Sequence, residues 1–419
     1  MTERLLQYIW QFQYFNRNDL FTEEGEALQI MHPGNLNSNQ GPDFIDAKIK
    51  IDQTTWAGSI EIHINTSDWK NHKHSGDKNY KNVILHVVWQ HDVELNLSCS
   101  TLVLHDKVSK LLLSKYQELI NANNFIACEK NINLVNNLTW QSWKERLLVE
   151  RLEQRTQSIF ELLQKKNNHW EEIFWCLLAK NFGVKLNSTV FERVAQSVPI
   201  NILAKHKDQI HQLEALLFGQ AGLLEEVFTE DYPILLQKEY RFLQKKYSLQ
   251  KTEGSLIFLR MRPSNFPTIR LAQLAMLVHS SLHLFSKIKE AKDVKSIRQL
   301  LQVTANDYWH YHYVFDEVSA FKKKKLGEQM IDNILINTIV PILFAYGHYH
   351  QETVYKDKAL QWLEDIKAEK NSITKGFELL QVENKRAFDS QALIQLKNEY
   401  CNKKRCLDCS VGNKLLRSQ

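Results

Sequence analysis

The sequence predicts an α+β chain in two parts: a mixed α/β unit over residues 1–107 and a large all-α unit over residues 108–419. Two observations carry this division. Strand-like runs rich in β-branched residues fall at 27–32, 43–52, 57–65, 83–90 and 100–105, and nowhere as densely afterwards. From about residue 108 glycine becomes scarce, and Leu, Lys, Glu and Gln recur at helical periods almost to the end. Seven of the 16 histidines fall within 32–105, which places the richest polar chemistry in the first part.

Taken in order, residues 4–15 carry aromatic and aliphatic side chains at helical spacing. Asn18-Asp19 reads as the cap of a second short helix through Glu26. The strand 27–32 is closed by Pro33-Gly34, and the strands 43–52 and 57–65 are joined by the turn Asp52-Gln53-Thr54. Residues 67–82 are polar and irregular, and strands follow at 83–90 and 100–105. In the second part, 140–165 and 209–224 are amphipathic helices, and Pro233, Pro263 and Pro267 mark loops or helix starts.

The composition, 43% hydrophobic and 24% charged with a mean hydropathy of −0.39, excludes a disordered chain. A net charge of +5 permits a polyanionic partner without requiring one. No apolar run is read as reaching the roughly 18–20 residues that span a bilayer. The N-terminus lacks a charged segment followed by an apolar one. The expectation is a cytoplasmic protein without a membrane partner, its six cysteines reduced.

The central stretch is 41–64. Ile60, Ile62 and Ile64 alternate with Ser59, Glu61 and His63, so a strand sets Glu61 and His63 side by side on one face. Asp43, at a strand entrance after Gly41-Pro42, is placed to meet them from the neighbouring strand. Two carboxylates and a nitrogen base converging on a sheet can hold a divalent metal and a water. The plainer reading is a hairpin in which Asp43 caps a turn and Glu61 faces solvent. The order helix, strand, strand with Pro42-Asp43, strand with Glu61-Ile62-His63, polar segment, strand resembles the core of the restriction-endonuclease-like superfamily. That resemblance implies Asp43 and Glu61 as ligands of Mg²⁺ or Mn²⁺. It implies His63, where lysine is usual, as the base that positions water. Glu23, Glu24 or Glu26 is a candidate extra carboxylate.

Further polar groups suggest a nucleic-acid partner: His72 and His74 on the polar segment, readable equally as a second cation-binding element or as phosphate contacts, Arg262 and Arg270 around a Pro-rich loop, and Lys403, Lys404 and Arg405 near the C-terminus. Each set has an ordinary alternative as a solvated loop or helix face. His86 reads as a satisfied sheet histidine. Cys401, Cys406 and Cys409 stand in a Cys-x4-Cys-x2-Cys run, a spacing suited to Zn²⁺ or an iron–sulfur cluster, with Cys128 the first choice for a fourth ligand.

The runs Gly41-Pro-Asp-Phe44, Gly58–His63, Ser67-Asp-Trp69, His72-Lys-His74, Leu85–Val88, Glu214–Gly222, Arg262–Arg270 and Lys404–Cys409 resemble an uncharacterised bacterial family, domain of unknown function 2851. That resemblance implies one integrated architecture and no activity. The functional expectation is therefore a divalent-metal-dependent nuclease cleaving phosphodiesters in DNA or RNA. The alternatives are a non-catalytic nucleic-acid-binding protein of degenerate nuclease fold, and a zinc-stapled scaffold protein.

Overall fold

The computed structural model describes residues 1–417 except Ser38, Lys73, Ser75, Gly76, Lys251 and Leu282. It is mixed α/β at the N-terminus and helical through most of the remainder. Two compact units form, residues 1–143 with 397–419, and residues 144–396. The division therefore departs from the expected 107/108, because the C-terminal segment folds with the N-terminal unit. The ties are specific: Arg4 pairs with Asp408 at 2.6 Å, and Tyr8 Oη donates to Asn413 Oδ1 at 2.8 Å.

In the first unit, helix α1 (Glu3–Gln11) starts where the Thr2 hydroxyl accepts from the amide of Leu5. Its Leu5, Leu6, Tyr8, Ile9 and Trp10 are buried, and Trp10 donates from its indole to Pro33 O at 2.9 Å. Six strands follow: β1 (Leu28–His32), β2 (Asn35–Leu36), β3 (Phe44–Ile51), β4 (Thr54–Asn65), β5 (Val83–Gln90) and β6 (Ser100–Val103). The sheet order is β1-β3-β4-β5-β6, with β2 paired to β3. β1, β3 and β4 are antiparallel; β4, β5 and β6 are parallel. The crossover from β4 to β5 carries the short helix α2 (Asp68–Asn71). Inner parallel strands are covered on both faces, which is why Val83–Val88 is one continuous buried run and why Ser59, Glu61 and His63 are buried too.

The expected helix over 18–26 does not form. Asp19 and Gly25 take positive φ, the amide of Glu26 donates to Thr22 Oγ1, and Phe21 bridges Ala27. The chain turns tightly there instead of winding. Glu26 is spent on Ser100 Oγ at 3.2 Å, and Glu23 and Glu24 are exposed on the turn, so none of the three joins the carboxylates of the sheet.

The second unit is built from helices around one apolar core that includes Trp175, Phe182, Phe218 and Trp309. The expected helix 209–224 spans Ile210–Gln220. The segment Glu328–Tyr349, 22 residues at a mean hydropathy of 1.5, is long and apolar enough to cross a membrane by length and composition. This corrects the expectation that no run reaches that length. In the structure 78% of its apolar window is buried within the protein, where Ile334, Leu335, Ile339, Val340, Ile342 and Leu343 fill the core.

Candidate metal centre

Asp43 is delivered by a constrained corner. Gly41 has φ +112°, a conformation that favours glycine, and Asn37 Nδ2 donates to Pro42 O at 2.9 Å while the Asn37 amide donates to Asp43 O at 2.7 Å. The corner ends where β3 begins. Glu61 and His63 lie on the same face of β4, and the parallel register sets Glu61 opposite His86 on β5. His72 and His74 come from the crossover, with Lys73 outside the described residues. Trp69, buried on α2, and Tyr80 wall the cluster: Tyr80 stacks on His74 at 3.9 Å, and Trp69 meets the His86 ring at 5.0 Å.

The expected pair meets. The Asp43 amide donates to Glu61 Oε2 at 3.1 Å, the Ile62 amide donates to Asp43 Oδ2 at 3.1 Å, and Gln7 Nε2 donates to Asp43 Oδ1 at 2.8 Å. Burial and the carboxylate of Glu3 on α1 push Asp43 up to about 7, and burial with the carboxylates of Asp43 and Glu3 pushes Glu61 up to about 8.

The remaining oxygen, Glu61 Oε1, faces histidines. It lies 3.4 Å from His63 Nε2 and 3.3 Å from His74 Nε2, and His63 Nε2 lies 3.0 Å from His72 Nδ1. The donor nitrogens of His63, His72 and His74 all lie within 4.8 Å of one another. A tetrahedral ion with ligand bonds of about 2.0–2.1 Å spaces its ligand atoms about 3.3 Å apart. The separations of 3.4, 3.3 and 3.0 Å lie near that spacing. His74 Nε2 and His86 Nδ1 are buried without a hydrogen-bond partner, a costly state for a polar atom and one that an ion at His74 would relieve.

Residues 3–372 match the family model described as protein of unknown function (DUF2851). The chain belongs to that family. No curated protein and no solved structure matches it. The DUF2851 span contains every residue of the cluster and ends before Cys401, Cys406 and Cys409, so the run Lys404–Cys409 lies outside it.

The geometry redistributes the expected roles. His63 is a poor base. Its Nδ1 is 2.9 Å from His86 Nε2, its Nε2 faces Glu61 and His72, and burial with three neighbouring imidazoles lowers it to about 3. A neutral ring with a lone pair on Nε2 and its proton on Nδ1 toward His86 is what a metal ligand needs. Of the two histidines read from sequence as a cation-binding or phosphate-contacting element, His72 meets His63 and His74 meets Glu61, and His86 joins the network rather than being an isolated sheet histidine.

The basic residues do not share this fate. Arg270 is buried in the second unit, bonded to Gln273 Oε1 at 3.0 Å and Asn265 Oδ1 at 2.6 Å, so it cannot line a surface for nucleic acid. Arg262, also in that unit, is exposed. Lys404 donates its ammonium to the carbonyls of Ile120 and Ala122 and is unavailable to a phosphate. Lys403 pairs with Glu399 at 2.6 Å, and Arg405 with Asp408 at 3.1 Å over the Tyr400 ring. Gln7, Glu3, Trp69 and Tyr80 are the participants that sequence reasoning missed; helical spacing put Gln7 one turn after Glu3, the only signal that pointed to them.

Proposed function

We propose that this protein is a divalent-metal-dependent hydrolase of phosphodiesters, of nuclease type, with Glu61, His63, His72 and His74 as metal ligands. The observation that carries the reading is the cluster in which Glu61 Oε1 lies 3.4 Å from His63 Nε2 and 3.3 Å from His74 Nε2, with His72 Nδ1 3.0 Å from His63 Nε2, beside the carboxyl of Asp43. Three imidazoles with one carboxylate suit Zn²⁺ and place Mn²⁺ ahead of Mg²⁺, which prefers oxygen donors. Bound there, a divalent ion supplies a Lewis acid for a phosphoryl oxygen and acidifies water. Asp43, raised to near neutrality, is the proton acceptor: water adds to phosphorus as the ester P–O bond breaks, and the water proton passes to the Asp43 carboxylate and from there to the departing alkoxide oxygen, directly or through solvent. His72, exposed where the other two histidines are buried, marks the side from which substrate reaches the cluster.

Support for nucleic acid as substrate comes from the strand order. β3, entered by Asp43, β4 with the Glu61-Ile62-His63 run, the polar crossover and β5 follow one another in the order on which the restriction-endonuclease-like resemblance rests. A second reading rests on depth. Glu61, His63 and His74 are 5%, 1% and 8% exposed, which also suits an ion that only holds the crossover in place. Calorimetric titration of Zn²⁺, Mn²⁺ and Mg²⁺ into the protein and into Glu61→Ala and His74→Ala tests the ligands. Cleavage of labelled single- and double-stranded DNA and RNA by the loaded protein tests the chemistry. Loss of one metal equivalent together with cleavage in both variants is the expected result. Binding without cleavage of any substrate leaves the structural reading, and unaltered binding in both variants removes the site.

A further inference from the structure

Four cysteines from two distant stretches meet in the N-terminal unit. Cys128 precedes the 3-10 turn Glu129–Leu134, with the Asn131 amide donating to Cys128 O at 3.1 Å. Cys401 ends the π-helical segment Leu396–Cys401, Cys406 opens the turn Cys406–Asp408, and Cys409 directly precedes the last helix, Ser410–Arg417. Lys404, at φ +52°, reverses the chain between the first two. The segment is drawn onto residues 120–128 by Lys404, bound to Ile120 O and Ala122 O, and by Lys397, bound to Phe125 O at 2.6 Å. Cys406 lies in the buried apolar cluster of this unit and Cys128 packs against that cluster, and the four thiols lie near enough to perturb one another electrostatically. All four are free thiols.

The surroundings are those of bound sulfur. The amides of Val411 and Gly412 and the buried Trp143 lie beside the Cys409 thiol and favour its ionised form. Donors aimed at sulfur stabilise a thiolate. Gly412 is required for the approach, since a Cβ there would stand 2.3 Å from Cys406 O. Cys99 and Cys176 lack this company; their nearest charged neighbours are Glu24 for one and Glu172, Lys166 and Glu192 for the other.

We infer that Cys128, Cys401, Cys406 and Cys409 form a tetrathiolate site for a thiophilic metal, either Zn²⁺ or the iron of an iron–sulfur cluster. Four thiolates satisfy the ligand count of both. The run Cys-x4-Cys-x2-Cys with one remote cysteine is a spacing known for two-iron clusters. Thiols bind these metals as thiolates, so loading releases protons to solvent. Lys404 beside Cys406 and Lys397 beside Cys401 offset the residual negative charge of the loaded site. The metal would join the C-terminal segment covalently to a stretch about 270 residues earlier in the chain.

The test is anaerobic purification of the full-length protein, with zinc, iron and acid-labile sulfide measured per chain and the visible spectrum recorded. Iron with stoichiometric sulfide identifies the cluster. Zinc without sulfide, which on exchange for Co²⁺ gives sulfur-to-metal charge-transfer absorption, identifies the zinc site. In either case the sulfur-linked signal should disappear in Cys128→Ser and Cys409→Ser and persist in Cys176→Ser and His74→Ala, the last separating this site from the histidine cluster. No sulfur-bound metal in the wild-type protein after reconstitution, or a signal that survives Cys128→Ser, overturns the inference. Should the serine variants fail to fold, thiol counting in folded wild-type protein decides. Four thiols that become reactive only when a chelator removes the metal support the site; four that react at once refute it.

Discussion

Asp43 and Glu61 are locked to each other through the backbone: the Asp43 amide donates to Glu61 Oε2, and Asp43 Oδ2 in turn accepts from the Ile62 amide, both at 3.1 Å. The exchange fixes two carboxyls beside one another, and burial first, then neighbouring carboxylates (Glu3 for Asp43, Asp43 and Glu3 for Glu61), raises both above the usual carboxylate range. A group whose pKa is higher folded than unfolded stabilises the fold while protonated, and that contribution fades as pH rises through the folded value. His63 and His86 act in the opposite sense, being lowered to about 3 and about 4, so their contribution is lost as pH falls below about 6.5. Between about pH 4.5 and 6.5 the two pairs oppose each other. From about pH 6.5 to 8 only the carboxyls titrate. Metal-free protein should therefore lose thermal stability over that upper interval, and Asp43→Asn with Glu61→Gln should flatten the loss. Melting curves in chelator at half-unit pH steps check this; an equal slope in the double variant would contradict it.

His86 touches no proposed ligand oxygen, yet its Nε2 stands 2.9 Å from His63 Nδ1 and fixes the tautomer that frees His63 Nε2. Groups in that position typically change metal affinity by about 10–100-fold. His86→Phe, which keeps the buried ring but not the nitrogen, should weaken Zn²⁺ binding by about that factor and leave one equivalent bound. His74→Ala should abolish the equivalent. Calorimetric titration of both variants under one set of conditions distinguishes a positioning residue from a ligand.

Legibility in the sequence followed the range of the interaction. The Asp43–Glu61 meeting was readable because period-two alternation and a two-residue turn are local. The helix expected at 18–26 failed because a cap signal at Asn18-Asp19 competed with turn chemistry at Thr22–Gly25, where Gly25 takes φ +83°. The roles of His72, His74 and His86 depend on the polar face of β4 being covered by the crossover, and alternation alone does not say which face is covered. Ligand counting alone singled out Cys128 as the candidate partner of the C-terminal thiols. The unit boundary was not readable, since pairs such as Arg4 with Asp408, 404 residues apart, leave no periodic trace.

Glu214 gives a pH effect separate from the metal cluster. It is fully buried in the helical unit, where Tyr232 Oη donates to it at 2.7 Å and Trp309 Nε1 at 3.1 Å, and burial still raises it to about 7. The fold is thus favoured with Glu214 protonated, and stability falls as pH rises from about 4.5 through 7. A displacement of that size corresponds to about 3 kcal/mol. Glu214→Gln should remove this component and be the more stable protein at pH 8, by up to about 3 kcal/mol. Urea unfolding at pH 5 and pH 8 reads both points; a variant less stable at both would show that the carboxylate itself is needed.

Gly58 sets the register on which the candidate metal centre depends. It stands in β4 three residues before Glu61, and a Cβ there would lie 2.5 Å from Asn82 O and 2.6 Å from Ile84 Cγ2. Asn82 O is itself the acceptor for the Ser59 amide at 2.8 Å, the first bond joining β4 to the chain entering β5. The backbone carbonyl has no freedom to withdraw without breaking that bond, so the added methyl must push β4 away from β5. Overpacking of this kind costs about 1–3 kcal/mol. The displacement falls beside the pairs Ile60–Leu85 and Glu61–His86, hence on the cluster itself. Gly58→Ala should lower unfolding stability by about that amount and weaken metal binding, although no ligand is removed. Gly222→Ala is the control for backbone strain alone: its φ is +74°, and no atom lies within 4 Å of the added methyl. It should cost stability without touching metal affinity. If Gly58→Ala loses stability but binds metal as the wild type does, the β4–β5 register does not position the ligands.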